Sequence, residues 1–258
     1  MICLTGDVHQ RSFQGPDTRY SRYTEAQLAR LYCEIAERYN VKVTLFVTGR
    51  TCLEESEEIQ RLSQYDHCEI GGHTFSAFRS PLHILWKRLF SSPLGPRFYQ
   101  ERDIRRTVSL IEQTIGKKIR TWRNHGYLHN GHTYALLADY GIQIVSDAVS
   151  PMIYRAELVS DRLFSLPINT PPDHEILLHG KYLPGHRKPK RLVGRCTVEQ
   201  WGERIQKKII EIEEQGGVAT ILAHPLCMEV ADEMKTFKKL CQFLSRFPTH
   251  WVSEIYQA

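Results

Sequence analysis

The stretch whose reading decides the fold is Leu4-Thr5-Gly6-Asp7-Val8-His9, close to the beginning of the chain. Ile2, Cys3, Leu4 and Thr5 read as a short buried strand, and Gly6 interrupts it. Asp7 and His9 are two residues apart, so in an extended chain they project to the same side. A carboxylate and an imidazole at the carboxyl end of a strand are what α/β enzymes use to hold a metal or move a proton. For these two residues alone, an Asp that caps a turn beside a His that packs is the plainer alternative.

Strand and helix signals alternate outward from this stretch to the end of the chain. Thr24-Glu25-Ala26-Gln27 has the form of a capping box, and Leu28, Leu31, Ile35 and Ala36 follow at helical spacing. The β-branched run 41–48 ends at Gly49 and predicts a strand. Residues 54–64 read as helix, and Cys68-Glu69-Ile70 as a strand running into Gly71-Gly72-His73. Ile104, Val108, Ile111 and Ile115 form the apolar stripe of a helix closed by Gly116. Further strands are predicted over 119–122, 142–145, 162–168 and 218–222, with helices over 132–140, 197–215 and 232–246. The repeated β-α order, with about seven strands, favours a parallel sheet, open or closed into a barrel. With no repeat, no low-complexity tract and no Ser- or Pro-rich linker, a single domain over 1–258 is the expectation. The less regular stretches 76–99 and 148–196 read as binding loops.

At 41% hydrophobic and 24% charged residues the composition is that of an ordinary globular protein. No apolar run is long enough to cross a bilayer, and no secretion signal opens the chain. Seven cysteines without a CxxC pair favour reduced thiols, so a cytoplasmic location is expected. The net charge of +5 is local. Lys181, Arg187, Lys188, Lys190, Arg191 and Arg195 lie in one segment without an acid, and the rest of the chain is close to neutral. That distribution, with no recognised binding motif, argues against nucleic acid as a partner. The basic segment suits either a solvated loop or contact with an anionic substrate group.

The polar candidates recur just past predicted strand ends: Asp7 and His9, His73, Arg123 with Asn124 and His125, Asp147, and His224. Each has a structural alternative: His73 capping a turn, Arg123 pairing with Asp147, His224 packed in the core. In a parallel barrel the carboxyl ends of the strands gather at one face, where active sites sit, and five such ends together favour a shared catalytic face. The segment 167–174, ending in His174, and His179 beyond it read as a substrate loop or as a Pro-rich turn.

In these motifs and their order the chain resembles the polysaccharide deacetylases of the carbohydrate esterase 4, NodB-like, type. Leu4-Thr5-Gly6-Asp7-Val8-His9 stands where that family has Thr-Phe-Asp-Asp, and Thr44-Leu45-Phe46-Val47-Thr48-Gly49 resembles its second strand. Gly72-His73-Thr74 resembles the start of its His-Ser/Thr-x-x-His motif, and Trp122-Arg123-Asn124-His125-Gly126-Tyr127 stands at its Arg-x-Pro-x-Gly. Val145-Ser146-Asp147 and Leu222-Ala223-His224-Pro225 resemble the fourth and fifth motifs.

The resemblance implies a distorted (β/α)7 barrel and a hydrolase that removes an N-acetyl group from an amino sugar or glycoconjugate. It implies Asp7 as general base, Arg123 orienting it and itself held by Asp147, and His224 as the acid. It implies a divalent metal, with zinc the expected ion, on His9 and His73. Asn124, His125, Tyr127, His174 and His179 are the expected substrate contacts, with a backbone N–H near Tyr127 helping to bind the oxyanion. Val8 and Ala77 stand where the family has metal ligands, which leaves the site one ligand short. Asp7, His125 or His174 could supply it. A metal-independent hydrolase of another non-peptide C–N bond, or an inactive carbohydrate-binding relative, are the alternatives.

Overall fold

The computed structural model describes residues 1–15, 17–177 and 196–257. The elements run β1 (Ile2–Val8), α1 (Glu25–Arg38), β2 (Val43–Val47), α2 (Gly49–Glu54), α3 (Ser56–Leu62), β3 (Cys68–Gly72), α4 (Pro81–Phe90), α5 (Arg97–Ile115), β4 (Thr121–Trp122), α6 (Thr133–Asp139), β5 (Ile144–Val145), β6 (Glu157–Ser160), β7 (Leu163–Ser165), α7 (Asp173–Ile176), α8 (Val198–Glu214), β8 (Ala219–Leu222), α9 (Pro225–Asp232) and α10 (Lys235–Leu244). The capping boxes at Thr24–Gln27 and Thr197–Gln200 form at the starts of α1 and α8, and Gly116 ends α5 in the left-handed region.

Among the described residues, eight strands form one curled sheet in the order β6-β7-β5-β4-β3-β2-β1-β8. Seven pair in parallel, and β6 lies antiparallel on β7 as an edge hairpin. The sequence signals missed β6 because its residues are largely exposed and lack the alternation of a half-buried strand. Between β7 and β8 the chain itself spans the gap. The Asn169 side chain donates to the carbonyls of Val218 (2.8 Å) and Ile153 (3.0 Å) and accepts from the Thr220 N–H (2.8 Å), standing in for a ladder.

β1 sets the inside and outside of the curl. Ile2, Leu4 and Val8 join the large core beneath the outer helices, whereas Cys3 joins the small cluster with Phe46, Ile144, Leu166, Val218, Val252 and Ile255. The odd positions of β1 therefore face inward, and Thr5, Asp7 and His9 continue that face. Two glycines at the end of β3 let β4 approach: a Cβ on Gly72 would lie 2.2 Å from the Trp122 ring. The predicted helix over 54–64 is α3, and a further short helix, α2, precedes it and meets it at Glu55. The stretch 76–99 is not irregular, because it contains α4. Ser80 caps that helix by accepting from the His83 N–H, and Pro81 occupies its first turn.

Candidate active site

The carboxyl ends of β1, β3, β4 and β8 surround a cavity of about 250 Å³. Asp7, His9, His125, Tyr127, His174 and His224 line it, together with Phe13, Asp17, Glu25 and Arg79. His73 lies behind them, buried, with its ring 5.3 Å from that of His125.

Asp7 is held from several sides. Its Oδ1 accepts from Arg123 Nη1 at 2.9 Å, while its Oδ2 lies 3.4 Å from His224 Nε2 and 3.8 Å from His73 Nε2. Burial alone would raise the Asp7 carboxyl, but the Arg123 guanidinium, His73 and His224 outweigh it and hold the group well below the usual carboxylate range. Arg123 is fully buried and every arm is used. Nε donates to the Ser146 carbonyl (2.6 Å), and Nη2 donates to Ser146 Oγ (2.8 Å) and Thr5 Oγ1 (3.0 Å). The guanidinium also stacks over the Phe46 ring.

Asp147 does not hold Arg123. It accepts from Asn124 Nδ2 (2.7 Å) and the Tyr134 hydroxyl (3.0 Å), away from the cavity. Asn124 accepts from Trp122 Nε1 at 2.9 Å and likewise does not line the cavity, so the fold does not bring Asp147 or Asn124 to the wall that carries Asp7 and His224. The reason is the two-residue alternation. Arg123 and Ser146 face inward, and their next neighbours in sequence, Asn124 and Asp147, meet on the other side.

His224 is braced by a residue the sequence reading passed over. Asp173, fully buried at the start of α7, accepts from His224 Nδ1 (2.7 Å) and from the His224 N–H (2.6 Å). Burial alone would lower the His224 pKa, but Asp173 and Asp7 outweigh it and raise it to about 10. His224 is thus an imidazolium at neutral pH, with Nε2–H directed toward Asp7. The signal for Asp173 was its place in Pro171-Pro172-Asp173-His174, a segment singled out as a substrate loop or a Pro-rich turn. His174 is exposed at the rim, its ring 5.5 Å from that of His224. His179 lies outside the described residues.

Three imidazoles converge beside Asp7. His9 Nε2 lies 3.1 Å and His73 Nε2 lies 3.2 Å from His125 Nδ1. The outer nitrogens of two of them are engaged: His9 Nδ1 meets Glu25 Oε2 at 2.8 Å, and His73 Nδ1 meets the Arg123 carbonyl at 2.8 Å. A carbonyl can only accept, so His73 Nδ1 carries the proton and its Nε2 lone pair faces inward. Burial first, and the neighbouring histidines next, keep His125 neutral with a pKa of about 2; burial likewise lowers His73 to about 3. Burial would raise the Glu25 carboxyl, but His9 lowers it, so Glu25 is ionised. Ring nitrogens facing one another with few protons between them, backed by a carboxylate and a carbonyl, fit a cation of the zinc type. His9, His73 and His125 together form a three-imidazole donor group, and His125, expected either as a substrate contact or as the missing ligand, stands beside the other two. Glu25 was missed because its place after Thr24 explained it as part of a helix start. Ala77 is buried with a left-handed backbone (φ 51°) and offers no ligand.

The turn that carries His125 is tight. Gly126 and Tyr127 both have positive φ, at 59° and 61°. The Tyr127 N–H donates to the Asn124 carbonyl at 2.9 Å, so this one of the N–H groups near Tyr127 is engaged within the turn. Burial pushes the Tyr127 hydroxyl up, which keeps it a neutral group on the cavity wall. None of the seven cysteines forms a disulfide. Among the described residues no helix is long and apolar enough to cross a membrane.

A curled sheet of seven parallel strands with one antiparallel edge is the architecture of the deacetylase-type (β/α)7 barrel. The chain belongs to the polysaccharide deacetylase family, whose sequence pattern matches residues 6–145. No protein with a curated description matches it. Among solved structures, one from Mycobacterium smegmatis assigned to the polysaccharide deacetylases superposes with a TM-score of 0.74 at 18% identity, over 99% of this chain and 88% of that one. A carbohydrate esterase 4 family pseudoenzyme from Bacillus anthracis superposes with a TM-score of 0.58 at 15% identity, over 99% and 65%. The PuuE allantoinase gives 0.70 at 10% identity, over 99% and 89%. At these identities the likeness is one of fold.

Proposed function

We propose that this chain hydrolyses an acyl-amide bond, most simply the N-acetyl group of an amino sugar, with Asp7 as general base and His224 as general acid. The observation that carries the reading is the placing of Asp7 Oδ2 between His73 Nε2 (3.8 Å) and His224 Nε2 (3.4 Å) at the wall of the cavity. His9, His73 and His125 would hold a divalent metal, zinc by the chemistry of the donors. When bound, such an ion lowers the pKa of water and polarises an acyl carbonyl.

The chain's own residues supply the rest. Arg123 fixes the orientation of Asp7 and keeps it ionised, so Asp7 Oδ2 can take a proton from the attacking water. His224, charged through its pairing with Asp173, gives the Nε2 proton to the departing nitrogen. The C–N bond breaks, and the products are a carboxylate and a protonated amine. Phe13 and Tyr127 offer ring surface to a sugar, and Arg79 offers a cation to an acidic group on it.

The test is acetate release from an N-acetylated amino sugar by protein stripped with a chelator and then reloaded with zinc. Activity should depend on the metal and be lost in Asp7→Asn. Turnover that survives complete chelation refutes the metal, and an unimpaired Asp7→Asn refutes the base.

A further inference from the structure

Helix α4 leaves its apolar residues in water. Of its ten residues only His83 is buried and Trp86 half-buried. Leu82, Leu85 and Leu89 follow an i, i+3, i+7 spacing and form one stripe, which a globular protein would normally turn toward its core. Here all three are exposed, Leu89 at 62%, and Phe90 at 64% extends the surface. Past the turn at 91–96, whose Gly95 rests against the Trp86 ring, Phe98 at the start of α5 is 70% exposed. A contiguous sequence segment with this much uncovered apolar surface marks a place of attachment.

Its charge identifies the occupant. Between Glu69 and Glu101 there is no acidic residue, whereas Arg79, Lys87, Arg88 and Arg97 all fall within that span and are exposed. Large apolar side chains with lysine and arginine beside them on a short helix, and no acids, match the headgroup region of an anionic bilayer: chains receive the apolar stripe and phosphates receive the cations. We infer that α4 and the turn after it dock onto an anionic lipid surface, with the helix lying in the interface.

The attachment would sit next to the cavity. Arg79, a wall residue, precedes the α4 cap Ser80 directly. Phe78, one residue earlier, packs its ring against His83 of α4 and against His125. Docking would bring the cavity wall close to the headgroups. The surface itself does not depend on the chemistry proposed above, and its test needs no turnover.

The experiment is flotation of the purified full chain with vesicles of equimolar phosphatidylcholine and phosphatidylglycerol, compared with phosphatidylcholine alone. The chain should float with the anionic vesicles, and high salt should weaken the binding. The double variant Leu89→Asp, Phe90→Asp changes two exposed positions and should lower partitioning by about tenfold or more, with an unchanged melting temperature. Ile210→Asp, an exposed apolar residue on α8, should float like the parent. Failure to float with anionic vesicles, equal binding to both vesicle types, or an undiminished double variant each overturns the proposal. So does a stable dimer in solution that the double variant dissociates, because a second copy would then be what covers the face.

Discussion

Replacing Asp173 by Asn tests how His224 obtains its charge. Asp173 accepts two hydrogen bonds from the same residue, from Nδ1 at 2.7 Å and from the backbone N–H at 2.6 Å. Asn keeps the shape but not the charge, and its NH₂ would face one of those donors. Raising His224 from 6.5 to about 10 represents roughly 5 kcal/mol of preference for the imidazolium, shared between Asp173 and Asp7. Removing a carboxylate at hydrogen-bond distance should lower the midpoint by about two pH units or more, to about 8 or below. The direction for stability follows. Because folding raises this pKa, the pairing contributes fully below pH 6.5 and its contribution is lost as pH rises through about 10. In Asp173→Asn the contribution should be smaller and its loss complete at lower pH, and the alkaline limb of any hydrolytic activity should move down with it. Imidazole proton–nitrogen NMR of His224 across pH reads the midpoint directly, and a denaturant series at several pH values reads the stability. A variant whose His224 still titrates near 10 would refute the assignment of the charge to Asp173.

Glu25→Ala removes the carboxylate behind His9 and should weaken zinc binding about 10–100-fold, measured by competition with a chromophoric chelator; unchanged affinity would place the metal elsewhere. Gly72→Ala drives a Cβ to 2.2 Å from the Trp122 ring and should cost about 1–3 kcal/mol or more in chemical denaturation. Asn169→Ala strips three hydrogen bonds from the gap between β7 and β8, and the donor and acceptors left behind should lower stability by about 3 kcal/mol. A loss below about 1 kcal/mol would mean that water replaces the amide there.

Much of the barrel was legible because its signals are local. The run 41–48, the capping box at Thr24 and the stop at Gly116 each depend on a few neighbouring residues. The segment 76–99 was not legible, since α4 has apolar residues on more than one side and no polar face to fix a period. At the site, Asp7, His9, His73, Arg123 and His224 were recognisable from their places after strands. Asp147 was not separable from Ser146, because one residue's shift in a strand end exchanges inside for outside. His125 and Asp173 were both visible as polar residues, but their partners lie 116 and 51 residues away.

What the sequence by itself determined was the alternation of strands and helices, the shared side of Asp7 and His9, and the chemical types gathered at strand ends. Those follow from backbone geometry and hydrophobic pattern, which act over a few residues. The tertiary structure alone decided that His125 completes a cluster with His9 and His73, that Glu25 and Asp173 back two of the histidines, and that Asn124 and Asp147 turn away. These depend on how far the sheet curls and how β4 settles against Gly72, and they arise only when distant strands pack together.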